Sequence, residues 1–309
     1  MRNKFADTVY EIGSKDKRIC VLVADISPAG SMVYFREKFP ERFVNTGVAE
    51  QSMIGIAAGL ALNGMRPFCY TIATFSLFRP FEMIRVDLAY QNLPVTVIGM
   101  GAGIIYSTLG STHHTMEDIS IASAVPNLTV LAPCDPLEMA EATRWCATKS
   151  SGPVYMRLGK AGEPDLTGKC SSKFNIGDIR LIREGDDIVL LSYGTILKKV
   201  LEAADALEKL GKSVAVVNVH TLKPIDKVGL SGILKKFNKV IVIEEHVAHG
   251  GLSSKLKELA YECSSRAVIK VLHLKDEFIH FYGSYDGLLE KHGISVERII
   301  SCGKALLNG

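Results

Sequence analysis

The stretch Asn45-Thr-Gly47-Val48-Ala49-Glu50-Gln51-Ser-Met-Ile-Gly55-Ile-Ala57-Ala58-Gly59-Leu60-Ala61 sets one acid at the head of a run that is almost entirely small and apolar. Short strand residues (Phe43-Val-Asn45) lead into a Gly47 turn, and the spacing predicts a helix over residues 51–62, ended by Asn63-Gly64. A helix of Gly and Ala must pack closely in a core or an interface. An acid near a helix N-terminus is common and favourable. Here, however, the mouth of such a helix is expected to be largely desolvated. Burial of that kind raises a carboxyl pKa and suits a group that shares a proton.

Outward from this stretch, short apolar runs alternate with helical ones. Strands are expected at Ile19-Cys-Val-Leu-Val-Ala24 and at residues 66–71, 94–99, 129–132 and 153–157, with helices at 81–92, 117–125 and 136–148 between them. Residues 160–178 lose any clear apolar period. A second set follows, with strands near 188–192, 213–219, 240–243 and 268–274 and helices near 195–210, 227–237 and 251–262. Continuously apolar strands separated by helices indicate mostly parallel sheets covered on both faces. The expected fold class is therefore α/β, with two doubly wound domains at residues 1–165 and 180–309 joined by a linker at 166–179.

Composition removes several function classes. The formal net charge is +3 over 309 residues, with both signs interspersed, which argues against nucleic-acid binding. The longest apolar run, residues 53–62, is about half the length a membrane span needs. The N-terminus carries an acid and lacks a signal peptide's apolar region. Seven scattered cysteines form neither a Cys-x-x-Cys pair nor a zinc spacing, which fits reduced residues in a cytoplasmic, soluble protein. No phosphate loop, dinucleotide fingerprint or Gly-x-Ser-x-Gly elbow is present, and no metal ligands are expected on this chain.

The motif Gly-Val-Ala-Glu-Gln-x-Met-x-Gly-x-Ala-x-Gly resembles the pyrimidine-binding domain of transketolases and 1-deoxyxylulose-5-phosphate synthases. The resemblance continues in order through Asp25-Ile-Ser-Pro28, Thr74-Phe75-Ser-Leu-Phe78-Arg-Pro-Phe81, Gly110-Ser-Thr-His113-His114 and Pro153-Val-Tyr-Met-Arg157-Leu-Gly-Lys160. Further on, Ile243-Glu-Glu-His246-Val-Ala-His249-Gly-Gly251 is similar to the transketolase C-terminal domain and carries no assignable chemistry. The resemblance implies thiamine diphosphate as cofactor. It makes Glu50 the carboxylate that hydrogen-bonds N1′ of the aminopyrimidine, and Phe75, Phe78 and Phe81 the aromatic lining of that pocket. His113 would reach the substrate side as a catalytic group, with His114, Arg157 and Lys160 binding substrate.

The family's first domain, which holds the diphosphate through Mg²⁺ with a Gly-Asp-Gly…Asn-Asn motif, has no counterpart here. The expectation is thus a split transketolase. The Mg²⁺ ligands would lie on a separate N-terminal subunit, and self-association through the pyrimidine domain would give an α2β2 heteromer. Two positions that carry substrate-contacting Asp and His in classical transketolases are Leu109 and Gly101 here, and Ala29 replaces a phosphate-contacting Ser. These departures point to an unusual sugar, a modified one or one with a different anionic end group. A decarboxylating activity, like that of deoxyxylulose-phosphate synthase or a 2-oxoacid dehydrogenase β subunit, and a non-catalytic partner role are the alternatives.

Overall fold

A computed structural model describes residues 1–26, 30, 32–170 and 172–308. Residues 27–29, which hold part of the Asp25-Ile-Ser-Pro28 turn and Ala29, lie outside the described residues. Among the described residues there are twelve strands: β1 Ile19–Val23, β2 Phe43–Asn45, β3 Arg66–Ile72, β4 Thr96–Met100, β5 Thr129–Leu131, β6 Val154–Leu158, β7 Arg180–Arg183, β8 Ile188–Ser192, β9 Val214–Asn218, β10 Thr221–Lys223, β11 Lys239–Val247 and β12 Val268–Leu274. They form a seven-stranded sheet in the order β10-β5-β6-β4-β3-β1-β2 and a five-stranded sheet in the order β12-β11-β8-β9-β7. Within each sheet all neighbours run parallel except β10 against β5 and β7 against β9. The α/β class with two mostly parallel sheets stands as expected.

The strands form where apolar runs are unbroken. Every residue of β1, β4, β6, β8 and β9 is buried. Each such Val, Ile or Leu contributes about 1.5–3 kcal/mol of burial free energy. One cluster runs through both halves, placing Leu22, Met53 and Ala57 in the same core as Leu191, Val217 and Val242. The expected helix at 81–92 begins as α-helix at Phe81–Met83 and then widens into a π-helix at Ile84–Tyr90. The last two helices, Tyr285–Lys291 and Val296–Asn308, were not anticipated.

The division between the halves is less clean than sequence suggests. Strand β10 follows β9 in the chain, yet it pairs with β5 at the edge of the first sheet. From the second half, Lys223 and Lys255 reach the C-terminal end of the helix Asp118–Ala124. Lys223 donates to the carbonyls of Ser123 and Val125, and Lys255 to Ser123 Oγ at 2.7 Å. No helix among the described residues is long and apolar enough to cross a membrane.

Candidate active site

Parallel strands deliver their following loops to one edge, so the carboxyl ends of neighbouring strands are where side chains can converge. The register aligns Ile72 of β3 with Met100 of β4, and Met100 with Leu158 of β6, while β1 joins β3 to β2. Glu50 follows β2, Phe75 and Arg79 follow β3, the loop 101–115 follows β4, and Lys160 follows β6. Topology alone thus collects on one edge residues more than a hundred positions apart.

Glu50 is the first residue of the helix Glu50–Leu62 and is only 4% exposed. Its carboxylate is not a helix cap. Both of its oxygens accept from Arg79 Nη1, each at 3.1 Å. Arg79 is half-exposed, and its guanidinium lies 4.2 Å from the centroid of the Phe75 ring. The buried acid therefore has a cation at its open side and an aromatic face behind that cation. Phe75 in turn meets the His113 ring edge-on, with centroids 5.2 Å apart. Phe78 and Phe81 are half-buried and pack against the core cluster that contains Met53 and Ile54.

The helix bearing Glu50 buries Met53, Ile54, Ala57, Ala58 and Ala61. Its other side is bare: Ile56 is 42% and Leu62 63% exposed, and a side chain added at Gly55 or Gly59 would meet nothing within 4 Å.

The loop that carries the histidines is closed on itself. Gly103 N donates to Thr115 Oγ1 at 2.9 Å, and the two residues form an antiparallel bridge. Inside it, His113 Nδ1 lies 2.9 Å from Thr112 Oγ1, and His114 Nε2 lies 3.2 Å from the carbonyl oxygen of Tyr106. Burial lowers the pKa of both histidines, so each imidazole is held neutral. His114 Nδ1 is buried with no partner among the described residues. Lys160 is exposed, and its ammonium sits 5.4 Å from the Tyr106 ring centroid.

Arg157 is placed differently from Lys160. It is buried, and its contacts are internal. Nε lies 3.1 Å from Asp118 Oδ2, close enough to pair though not aligned as a hydrogen bond, and Nη2 donates to the carbonyls of Thr115 and Glu245. Burial works against its charge, but Asp118, then Tyr193 and Glu245, outweigh this and hold the guanidinium above its ordinary range. Its observed place is a node that joins the histidine loop to the second half. Glu245 completes that node. Its Oε1 accepts from Ile104 N at 2.6 Å and its Oε2 from the Tyr285 hydroxyl at 2.6 Å, while burial pushes its carboxyl up against the pull of Arg157.

Sequence reasoning missed Arg79, Tyr106 and Glu245. Arg79 lies four residues after Phe75, which predicts their stacking on a helical turn but not the reach to Glu50. Nothing local marks Tyr106. Among the described residues no group of three His, Cys, Asp or Glu side chains is arranged to hold a metal.

Two family models match, the transketolase pyrimidine-binding domain over residues 1–162 and the transketolase C-terminal domain over residues 177–299. The chain belongs to the transketolase family. Among its relatives is a putative transketolase C-terminal section of Methanocaldococcus jannaschii, 34% identical over 97% of this chain and 93% of the relative. A 6-deoxy-6-sulfo-D-fructose transketolase subunit of Clostridium sp. (strain MSTE9) is 33% identical over 97% of this chain and 92% of its own length. The fold also matches a solved split-gene transketolase, described as an inactive β4 tetramer, with a TM-score of 0.87 and 32% identity over 99% of this chain and 97% of that one. The family implies thiamine diphosphate as cofactor. At the sheet edge Arg79 links the buried Glu50 carboxylate to the half-buried Phe75 ring.

Proposed function

We propose that the chain is one subunit of a two-subunit transketolase that moves a two-carbon ketol unit from a ketose to an aldose. The observation that carries the reading is the convergence of Glu50, Phe75, His113 and Lys160 on the carboxyl edge of one sheet. Glu50 would hold a proton against the aminopyrimidine N1′, and Arg79 would have to yield part of its contact for this. Phe75, Phe78 and Phe81 would line that pocket. The cofactor, when bound, supplies the carbon nucleophile. The neutral His113 imidazole can donate to or accept from a sugar hydroxyl, with His114 behind it and Arg157 bracing the loop. Lys160 faces outward to meet an anionic sugar end.

The diphosphate and its Mg²⁺ are assigned to a separate N-terminal subunit in an α2β2 complex, in keeping with relatives whose names are those of a subunit or a C-terminal section. The bare side of the helix Glu50–Leu62 supports self-association there. The cytoplasm fits seven cysteines that are all free. Leu109 and Gly101 leave a standard ketose phosphate with fewer polar contacts, so a modified sugar with an anionic end is the favoured substrate class.

The test is reconstitution with the diphosphate-binding subunit, thiamine diphosphate and Mg²⁺. Glu50→Gln should assemble normally and lose about 10²–10⁴-fold in turnover, the range for a positioned proton-transfer group. Full activity in that variant would remove Glu50 from the chemistry. Release of CO₂ from pyruvate by the parent complex would favour a decarboxylated donor over a ketose.

A further inference from the structure

The second half of the chain lies along the histidine loop. Besides the Glu245 bond to Ile104 N, Val247 N donates to the carbonyl of Met116 at 2.9 Å, and Ser111 Oγ donates to the carbonyl of Ile279 at 2.5 Å. Leu274 pairs with Val247 at the end of β12, and the next residue, Lys275, donates its N–H to His292 Nδ1 at 2.9 Å. His292 directly follows the helix Tyr285–Lys291 and is buried. It thus packs on the same strand end that grips the loop two residues past His114. The two rings are near enough to feel each other's charge. Burial lowers the His292 pKa; Glu277 opposes this, while Lys275 and His114 add to it.

Each ring has one satisfied nitrogen and one sealed nitrogen without a partner. The Tyr106 carbonyl can only accept, so the His114 proton is on Nε2 and its Nδ1 carries a lone pair. His292 Nδ1 accepts from Lys275 N–H, so the proton of that neutral ring is on Nε2. His114 Nδ1 and His292 Nε2 are both buried with no partner among the described residues. One is an acceptor and the other a donor. Each is costly alone, and one shared water would satisfy both.

We infer that His292 is a positioning residue for the reaction: its Nε2–H, through one buried water, holds His114 Nδ1 and with it the loop that presents His113. His114 then has both ring nitrogens fastened, and its own carbonyl accepts from Thr74 Oγ1 at 3.4 Å. Thr74 precedes Phe75, the ring that His113 meets edge-on, so this anchor sets where His113 stands. The inference rests on the reading of His113 as the group that serves the sugar. It assigns His114 to support rather than to substrate, because a sealed Nδ1 cannot meet a sugar hydroxyl. It also gives the second half a part in the site.

The test has a spectroscopic arm and a kinetic arm. The full chain, labelled with nitrogen-15 in its histidine rings, is read by long-range proton–nitrogen correlation near neutral pH, with His114→Asn used to assign the His114 signals. In the parent, His114 should be the Nε2–H tautomer, and its Nδ1 resonance should carry the upfield shift of a lone pair that accepts a hydrogen bond. His292→Asn keeps an acceptor for Lys275 N–H but has no donor at the Nε2 position. In that variant the His114 Nδ1 resonance should return to the value of a free lone pair. His292→Gln puts an amide N–H back at that position and should restore the shift. In the reconstituted complex, kcat should fall at least about tenfold in His292→Asn, with KM within about threefold, and should recover in His292→Gln.

A His114 Nδ1 resonance at the free value in the parent, or one unchanged in His292→Asn, overturns the link. Unchanged kcat in a His292→Asn complex whose His114 signal has moved overturns the positioning role. A His292-dependent His114 signal in a complex inactive on every ketose supports the link and overturns the transketolase reading.

Discussion

Removing the Glu245 carboxylate tests how the histidine loop is fastened. Glu245→Ala deprives Ile104 N–H of its acceptor at 2.6 Å and the Tyr285 hydroxyl of its acceptor at 2.6 Å. A buried amide left unpaired costs about 1–3 kcal/mol, and the phenol adds to this. Arg157 is not orphaned, because Asp118 stays 3.1 Å from its Nε. Part of the loss is recovered, since a buried carboxylate whose pKa is pushed up was itself costing desolvation. The balance is a net destabilisation of about 2–4 kcal/mol, equivalent to a fall of about 4–8 °C in melting temperature. Thermal unfolding reads the global figure, and hydrogen exchange at the Ile104 amide reads the local one. Glu245→Gln, which can still accept from Ile104 N, should lose roughly half as much. A Glu245→Ala chain that melts within about 1 °C of the parent, with Ile104 exchange unchanged, would show that this carboxylate does not fasten the loop.

Other perturbations follow from the same geometry. Arg79→Ala strands the Glu50 carboxylate at 4% exposure, and because Arg79 is itself half-exposed the cost should be about 1–2 kcal/mol in chemical denaturation. Gly101→Ala should lower stability and raise KM together, because it meets a positive φ and the Tyr106 ring at once. His220 is fully buried against Phe174, and burial takes its pKa from 6.5 down to about 3. Between those values the unfolded chain binds the extra proton, so stability should drop as pH falls through the window, by up to about 1.4 kcal/mol per pH unit. Urea titrations at several pH values should show a shallower fall in His220→Phe. For Lys255, brought from 10.5 to about 8 by burial and by Lys223, the unfolded chain again holds the extra proton. Stability should therefore rise with pH between about 8 and 10.5, and Lys255→Met should flatten that rise.

Much of the architecture was legible because its strands are unbroken apolar runs, as in Ile19-Cys-Val-Leu-Val23. Where periodicity is weak, so was the reading. Strand β10 has only three residues, and its partner β5 lies some ninety positions earlier in the chain, so nothing local distinguishes it from a loop. The π-helix at Ile84–Tyr90 differs from an α-helix only in its hydrogen-bond ladder, which hydropathy cannot sense. Glu50 was legible from its contrast with the small apolar helix behind it. Arg79 and Tyr106 were not, because their partners come from other loops, and only the sheet order places those loops side by side. Arg157 and Lys160 look alike in sequence, three residues apart on one strand end. One is buried in an internal ion-pair node and the other is open to solvent.

The exchange of β10 into the first sheet limits how this chain could be taken apart. A cut in the connecting segment near residues 166–179 would take β10 away with the second fragment and expose the backbone of β5 along an open edge, a template for indiscriminate pairing. Each fragment would carry a raw seam where the shared core passes between them. The chain can therefore be transplanted or fused as one cassette, but not shortened to its cofactor-facing half.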